Sequence, residues 1–200
     1  MNIQMIEAAA GRLRGHARVT PLLHSPFLDD IAGRRVLVKA ECLQHTGSFK
    51  FRGAWSAVSA LKDAAGVVAI SSGNHAQGVA MAARAHNLPA VIVMPADAPR
   101  LKIENTRALG AEVVLYDRAT EDREGIGEAL AADRGLVLIR PYDDPQVIAG
   151  QGTMGLEIAQ QAADLGIKAA DVIVCCGGGG LSAGTALALE GSALRVRTAE

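Results

Sequence analysis

Short apolar or β-branched runs alternate along this chain with longer stretches of helical spacing. That alternation restricts the fold more than any other feature. The runs fall at Val36–Val38, Val67–Ile70, Ala90–Met94, Glu112–Leu115, Leu136–Ile139, Asp171–Cys175 and Leu194–Val196. Helical spacing covers Phe49–Leu61, Asn74–His86, Arg100–Ala108, Arg123–Asp133, Val147–Leu165 and Leu181–Leu189, after a first helix over Ile3–Arg14. A strand that is apolar throughout has both faces covered, as in a parallel sheet flanked by helices. The right-handed crossover rule then leaves doubly wound α/β arrangements. Thr20-Pro21 and Ser25-Pro26 mark an irregular stretch after the first helix, and Pro141 and Pro145 bracket a turn-rich break.

Composition removes several function classes. Half of the 200 residues are hydrophobic and only 20% are charged, which excludes a disordered chain. A net charge of −1 provides no field for nucleic acid or an anionic membrane, and 3% aromatics is too little for a base-stacking surface. No apolar run approaches the roughly 18 residues of a membrane span, and the N-terminus lacks a signal-peptide core. The cysteines, Cys42, Cys175 and Cys176, are odd in number and show no metal-ligand spacing. They read as reduced thiols of a cytoplasmic protein.

Three segments carry chemistry. The run Gly177-Gly178-Gly179-Gly180-Leu181-Ser182 follows an apolar strand and opens a helix. Consecutive glycines there let backbone N–H groups converge on an anion at the positive end of a helix. No Lys follows as in a P-loop, and no acidic residue is spaced as in a dinucleotide fingerprint, so a nucleotide module is the weaker alternative. The second segment, Ser71-Ser72-Gly73-Asn74-His75-Ala76-Gln77-Gly78, also lies between a strand and a helix. It crowds hydroxyl, amide and imidazole groups at a strand's C-terminal end, where open α/β sheets bind ligands. A plain helix cap would need only one of them, and His75 also suits a packing role. In the third, Thr46-Gly47-Ser48-Phe49-Lys50, Thr46 and Ser48 are candidate caps and Lys50 falls in the first helical turn. The helix dipole disfavours an ammonium there, which lowers its pKa and suits a Schiff-base lysine. An anion cradle, an imine-forming lysine and a loop of neutral donors are the parts pyridoxal phosphate requires.

The motifs Glu41-x-Leu43-Gln44-x-Thr46-Gly47-Ser48-Phe49-Lys50-x-Arg52-Gly53-Ala54, Ser71–Gln77 and Gly177–Leu181 resemble the serine/threonine dehydratase family. These are fold-type II pyridoxal-phosphate enzymes, serine racemase among them. Tyr142-Asp143-Asp144-Pro145 and Ile148–Thr153 resemble the family's next segment, and the likeness runs from about Thr20 to the last residue. The resemblance implies two doubly wound parallel-sheet domains of the tryptophan synthase β-like kind. Residues 43–142 form the small domain, and residues 1–42 with 143–200 form a large domain incomplete at its C-terminus.

The resemblance also implies roles. Lys50 is the Schiff-base lysine and the base at the substrate α-hydrogen. Phe49 lies against the cofactor ring and Asn74 binds its 3′ oxygen. Gly177, Gly178, Gly179, Gly180 and Leu181 hold the phosphate through main-chain amides. Ser72, Gly73, Asn74 and His75 hold the substrate carboxylate, and Ser72 is the second proton donor in relatives with racemase activity. The implied reaction is β-elimination from L-threonine or L-serine to a 2-oxo acid and ammonia. The alternatives are a serine racemase, a hydroxyaspartate dehydratase and an inactive fragment. Cys42 and Trp55 depart from the usual pattern and bear on substrate preference rather than chemistry. No metal site is assigned, although Glu200 resembles a divalent-cation ligand of some relatives. Family chains are considerably longer, so this one reads as a piece, and the full-length protein is expected to be a homodimer or homotetramer. Alone, it should hold the cofactor weakly and leave a sheet edge and an apolar face uncovered.

Overall fold

The computed structural model describes residues 1–200. Helix α1 (Ile3–Leu13) is capped by Asn2, whose side chain accepts from Met5 N, and it buries Ile6, Ala9 and Leu13. The next stretch is more regular than its prolines indicate. Strand β1 (Leu22–His24) leads into helix α2 (Pro26–Ala32), and strand β2 (Leu37–Lys39) returns antiparallel to β1. Ser25-Pro26 is a helix start, with proline in the first turn, and Gly33 at φ 63° ends the helix. Proline at the start and glycine past the end are the ordinary punctuation of a short helix.

Two 3-10 turns (Glu41–Leu43 and His45–Gly47) precede helix α3 (Lys50–Ser59). Then β3 (Val67–Ile70), α4 (Asn74–Ala85), β4 (Ala90–Pro95), α5 (Arg100–Ala108), β5 (Glu112–Tyr116), α6 (Arg123–Arg134) and β6 (Val137–Leu138) alternate. The four strands form one parallel sheet in the order β5-β4-β3-β6. Its centre shows why the apolar runs are continuous. Val67, Ala69, Ile92 and Met94 pack with residues of α3, α4 and α5 on one face. Val68, Val91 and Val93 point the other way, to Ile126, Leu130 and Ala131 of α6. The two-residue period of a strand divides each run between two helical layers.

Helix α7 (Pro145–Asp164) is the long connector, capped by Asp144, whose side chain accepts from the N–H groups of Gln146 and Val147. It packs on α1 and α3 and on the last unit, β7 (Ala170–Cys175), α8 (Gly180–Ala188) and β8 (Leu194–Ala199). Strands β7 and β8 are a parallel pair. Glycine permits the close crossing with α3: a Cβ on Gly150 would fall onto the backbone carbonyl of Arg52. The outer face of β7 is bare, with Ile173 72% exposed. Trp55 is buried against α1, donating from its indole N–H to Arg12 O at 2.9 Å, whereas Cys42 is exposed. No helix is long and apolar enough to cross a membrane.

Candidate active site

Lys50 is the first residue of α3, and Phe49 before it occupies the cap position. Neither Thr46 nor Ser48 caps this helix; both hydroxyls are buried without a hydrogen-bond partner. Thr46 instead adopts the left-handed region (φ 59°). That is an uncommon conformation for a β-branched residue and marks local strain. It aims the chain from the second 3-10 turn into α3.

The lysine amine is half-buried and has no carboxylate partner. Nζ donates to the backbone carbonyl of Pro141 at 2.6 Å and lies 5.3 Å from the Phe49 ring and 5.9 Å from the Tyr142 ring. Its pKa is pushed below the ordinary lysine value, with burial as the cause and the nearby Cys175 thiol pulling weakly the other way. The direction agrees with the reading from helix position, but the main cause is desolvation. Lys50 is thus biased towards the neutral, nucleophilic amine.

Across the cleft, Gly177–Gly180 turns from β7 into α8. Gly179 (φ 83°) caps the helix and Gly180 begins it. No backbone N–H from Gly177 to Leu181 finds a backbone acceptor. Nothing would touch a Cβ at Gly177 or Gly179, but a Cβ at Gly178 would enter the Tyr142 ring. One at Gly180 would come within 2.7 Å of Tyr142 O. Tyr142 is thus the wall against which the loop closes. Phe49, Lys50, Tyr142, Cys175, Cys176 and Gly177–Leu181 surround one cleft of about 330 Å³, with Ala199 and Glu200 at its margin. Segments far apart in sequence therefore meet around free amides and an amine held only by a backbone carbonyl. That is a fit for a phosphorylated aldehyde: the amides can hold an anion of this kind, and the amine can bond to a carbonyl carbon.

The pattern of the family described as "Pyridoxal-phosphate dependent enzyme" matches residues 13–199. The chain belongs to this family. It is 54% identical over 183 residues to the L-threo-3-hydroxyaspartate ammonia-lyase of Pseudomonas sp, covering 90% of this chain and 56% of that protein. It is 41% identical over 193 residues to the L-threonine ammonia-lyase of Thermotoga maritima, covering 95% of this chain and 47% of the relative. Among solved structures, maize serine racemase superposes with a TM-score of 0.93 at 38% identity, covering 100% of this chain and 61% of that one. A bacterial threonine deaminase superposes with a TM-score of 0.89 at 49% identity, covering 95% and 61%. These are fold-type II enzymes, and the parallel α/β architecture is theirs. The chain spans about half the length of the curated relatives it matches.

The Ser71–Gly78 segment does not line the cleft itself. It sits beside Lys50: a Cβ on Gly78 would be 3.3 Å from Lys50 O, and the Lys50 charge reaches His75. Ser72 and Asn74 are exposed, while Gly73 and His75 are buried. No side chain caps α4; Ser71 Oγ accepts from Gly73 N at 3.2 Å. His75 Nε2 meets Ile139 O at 2.9 Å, and Nδ1 has no partner. Because a carbonyl only accepts, the ring's one proton sits on Nε2. Burial drives the His75 pKa down to about 4 and keeps the ring neutral. The N–H groups of Asn74, His75 and Ala76 have no backbone acceptor and stay available to a ligand.

Three features escaped the sequence reading. Tyr142 is more than a turn residue, since its ring and carbonyl shape the glycine loop. Cys175 and Cys176 line the cleft. Arg52, wholly buried two residues after Lys50, forms a fork with Glu41 and Glu157. A charged residue on the core face of an otherwise apolar helix was the available signal for Arg52. No group of three His, Cys, Asp or Glu side chains is placed to hold a metal, and Glu200 stands alone in that respect.

Proposed function

We propose that this chain carries the cofactor-binding half of a pyridoxal-phosphate-dependent β-eliminating ammonia-lyase acting on small hydroxy amino acids. The meeting of Lys50 with the free amides of Gly177–Leu181 across one cleft supports this reading most directly. In it, the amides and the α8 dipole take the phosphate, Lys50 holds the aldehyde, Phe49 packs on the ring and Asn74 reaches the ring oxygen. The cofactor, when bound, supplies the electron sink that acidifies the α-hydrogen. Lys50 Nζ, its pKa lowered by burial, would be the base that takes that proton. Passed on to the β-hydroxyl, that proton would let it leave as water, and the released enamine would tautomerise and hydrolyse to a 2-oxo acid and ammonia. Ser72, Gly73, Asn74 and His75 hold the substrate carboxylate, His75 through its main-chain N–H. The division into residues 43–142 and residues 1–42 with 143–200 fits this scheme. It sets the sheet and polar loop of one unit against the glycine loop of the other, so that closure excludes water. A cytoplasmic location and assembly into a homodimer or homotetramer belong to the same proposal.

Among substrates, L-threo-3-hydroxyaspartate stands first. It is the substrate in the names of relatives 54% and 49% identical to this chain. A second cleft of about 200 Å³ beside Tyr142 carries Arg123, Glu124, Arg140 and Asp143; Arg123 pairs with Glu124 at 3.3 Å, whereas Arg140 has no ion-pair partner. The unpaired Arg140 guanidinium suits a distal carboxylate that threonine and serine lack. The test is to incubate the full-length protein, loaded with pyridoxal phosphate, with L-threo-3-hydroxyaspartate, L-threonine and L-serine. Oxaloacetate with ammonia should form fastest, and Arg140→Ala should weaken only that substrate. Absence of a 2-oxo acid from all three, or inverted amino acid as the sole product, refutes the elimination.

A further inference from the structure

We propose that Lys102 supplies the positive charge that binds the substrate α-carboxylate at the Ser71–Asn74 loop. The inference rests on the reading of that loop as the carboxylate site. Lys102 is the third residue of α5, and its side chain lies along the loop. A Cβ on Gly73 would be 3.0 Å from Nζ, 3.6 Å from Cδ and 3.7 Å from Cε. Glycine at position 73 is therefore what lets the amine reach the loop backbone. Lys102 as a residue is half-buried, forms no ion pair, and its side chain makes no hydrogen bond within the chain. The ion pair of this helix joins Arg100 to Glu104 instead, out in solvent. A cation held over a loop where no carboxylate of the chain pairs with it is a site prepared for an anion.

The rest of the loop cannot provide that charge. Ser72 and Asn74 are neutral donors. His75, 3% exposed, has its one ring N–H directed to Ile139 O, and its other nitrogen can only accept. The free N–H groups of Asn74, His75 and Ala76 bring a partial positive charge from α4. A half-desolvated carboxylate binds far more firmly when a full positive charge faces it. Lys102 meets that need from outside α4, on a stem anchored in a neighbouring helix.

The experiment compares L-alanine and L-alaninamide, which differ only in the carboxylate, as competitive inhibitors of the full-length holoenzyme. The wild type should prefer alanine. Lys102→Met should reduce that preference about tenfold or more, the usual effect of losing a charge-assisted hydrogen bond. It should raise KM more than it lowers kcat, and Lys102→Arg should restore most of the preference. Lys102→Gln, which keeps the stem polar, should behave as the Met variant does and covers the case in which Met perturbs folding. A wild-type preference in both neutral variants overturns the proposal. Asn74→Ala and Ser72→Ala separate the two levels. If they lose the preference and Lys102→Met keeps it, only the assignment of Lys102 fails. If neither set changes it, the carboxylate reading of the loop fails as well.

Discussion

Replacing Arg52 tests how the lysine is held in place. Its guanidinium is fully buried and donates to Glu41 at 2.8 Å from both Nε and Nη2. It donates to Glu157 at 2.6 and 2.9 Å, and to Arg18 O at 3.2 Å. Glu157 is shared with Lys39, and Glu41 also accepts from Thr20 at 2.6 Å. Burial alone would lower the arginine pKa, but the two carboxylates outweigh it and raise it. The fork joins α3, which begins with Lys50, to α7, which follows the Pro141–Tyr142 segment that Lys50 touches. Arg52→Leu keeps helix propensity and apolar volume but leaves Glu41, 9% exposed, with no cation. Breaking one side of a buried pair costs about 3–5 kcal/mol. For a chain of this size each kcal/mol moves Tm by about 2–4 °C, so Tm should drop by roughly 6–20 °C in calorimetry.

If stranded charge causes that loss, adding Glu41→Gln to Arg52→Leu should recover part of it, a non-additivity expected only of direct partners. Arg52→Lys, which keeps a point charge but loses the bidentate fork, should lie between. Equal melting of Arg52→Leu and the double variant would mean that lost packing, not unpaired charge, sets the penalty. An Arg52→Leu protein within about 1 kcal/mol of wild type would refute the network's structural role altogether.

The same geometry makes three more predictions. Lys50→Ala should abolish the absorbance of covalently held cofactor and lower turnover by at least about a hundredfold, the scale of a lost general base. Gly178→Ala should drive a methyl group into the Tyr142 ring and weaken cofactor binding in a fluorescence titration, whereas Gly177→Ala, which meets nothing, should bind nearly as wild type. For His75 the folded pKa of about 4 lies below the ordinary 6.5, so the unfolded chain takes up the extra proton between those values. Stability should therefore fall as pH drops from 6.5 to 4, by on the order of 3 kcal/mol at about 1.4 kcal/mol per pH unit. His75→Leu should flatten the urea-midpoint profile across that window.

What was legible in the sequence was local. The boundaries of β3 and α5 follow from their apolar periods and breakers to the residue, and the glycine loop declares itself by the strand before it and the helix after it. Strand β1 and helix α2 were not legible, because three strand residues and seven helical ones are too few to show a period between prolines. The caps expected of Thr46 and Ser48 failed for a different reason. The chain enters α3 through a left-handed Thr46, and its approach direction decides which groups reach the helix end.

The site itself is a non-local object. The lysine amine faces Pro141 O, and the glycine loop closes on the Tyr142 that follows it in sequence. A single dipeptide thus sets both walls, although nothing in its composition marks it as more than a turn. The depressed lysine pKa has the same origin. Position in the first helical turn foretells its direction, yet the dominant cause, desolvation, exists only once β7, α8 and the Pro141–Tyr142 segment close over α3. The lowered pKa of this amine is therefore a product of tertiary packing. Substitutions in that packing, at Gly178 or Arg52, should alter lysine reactivity without touching the lysine.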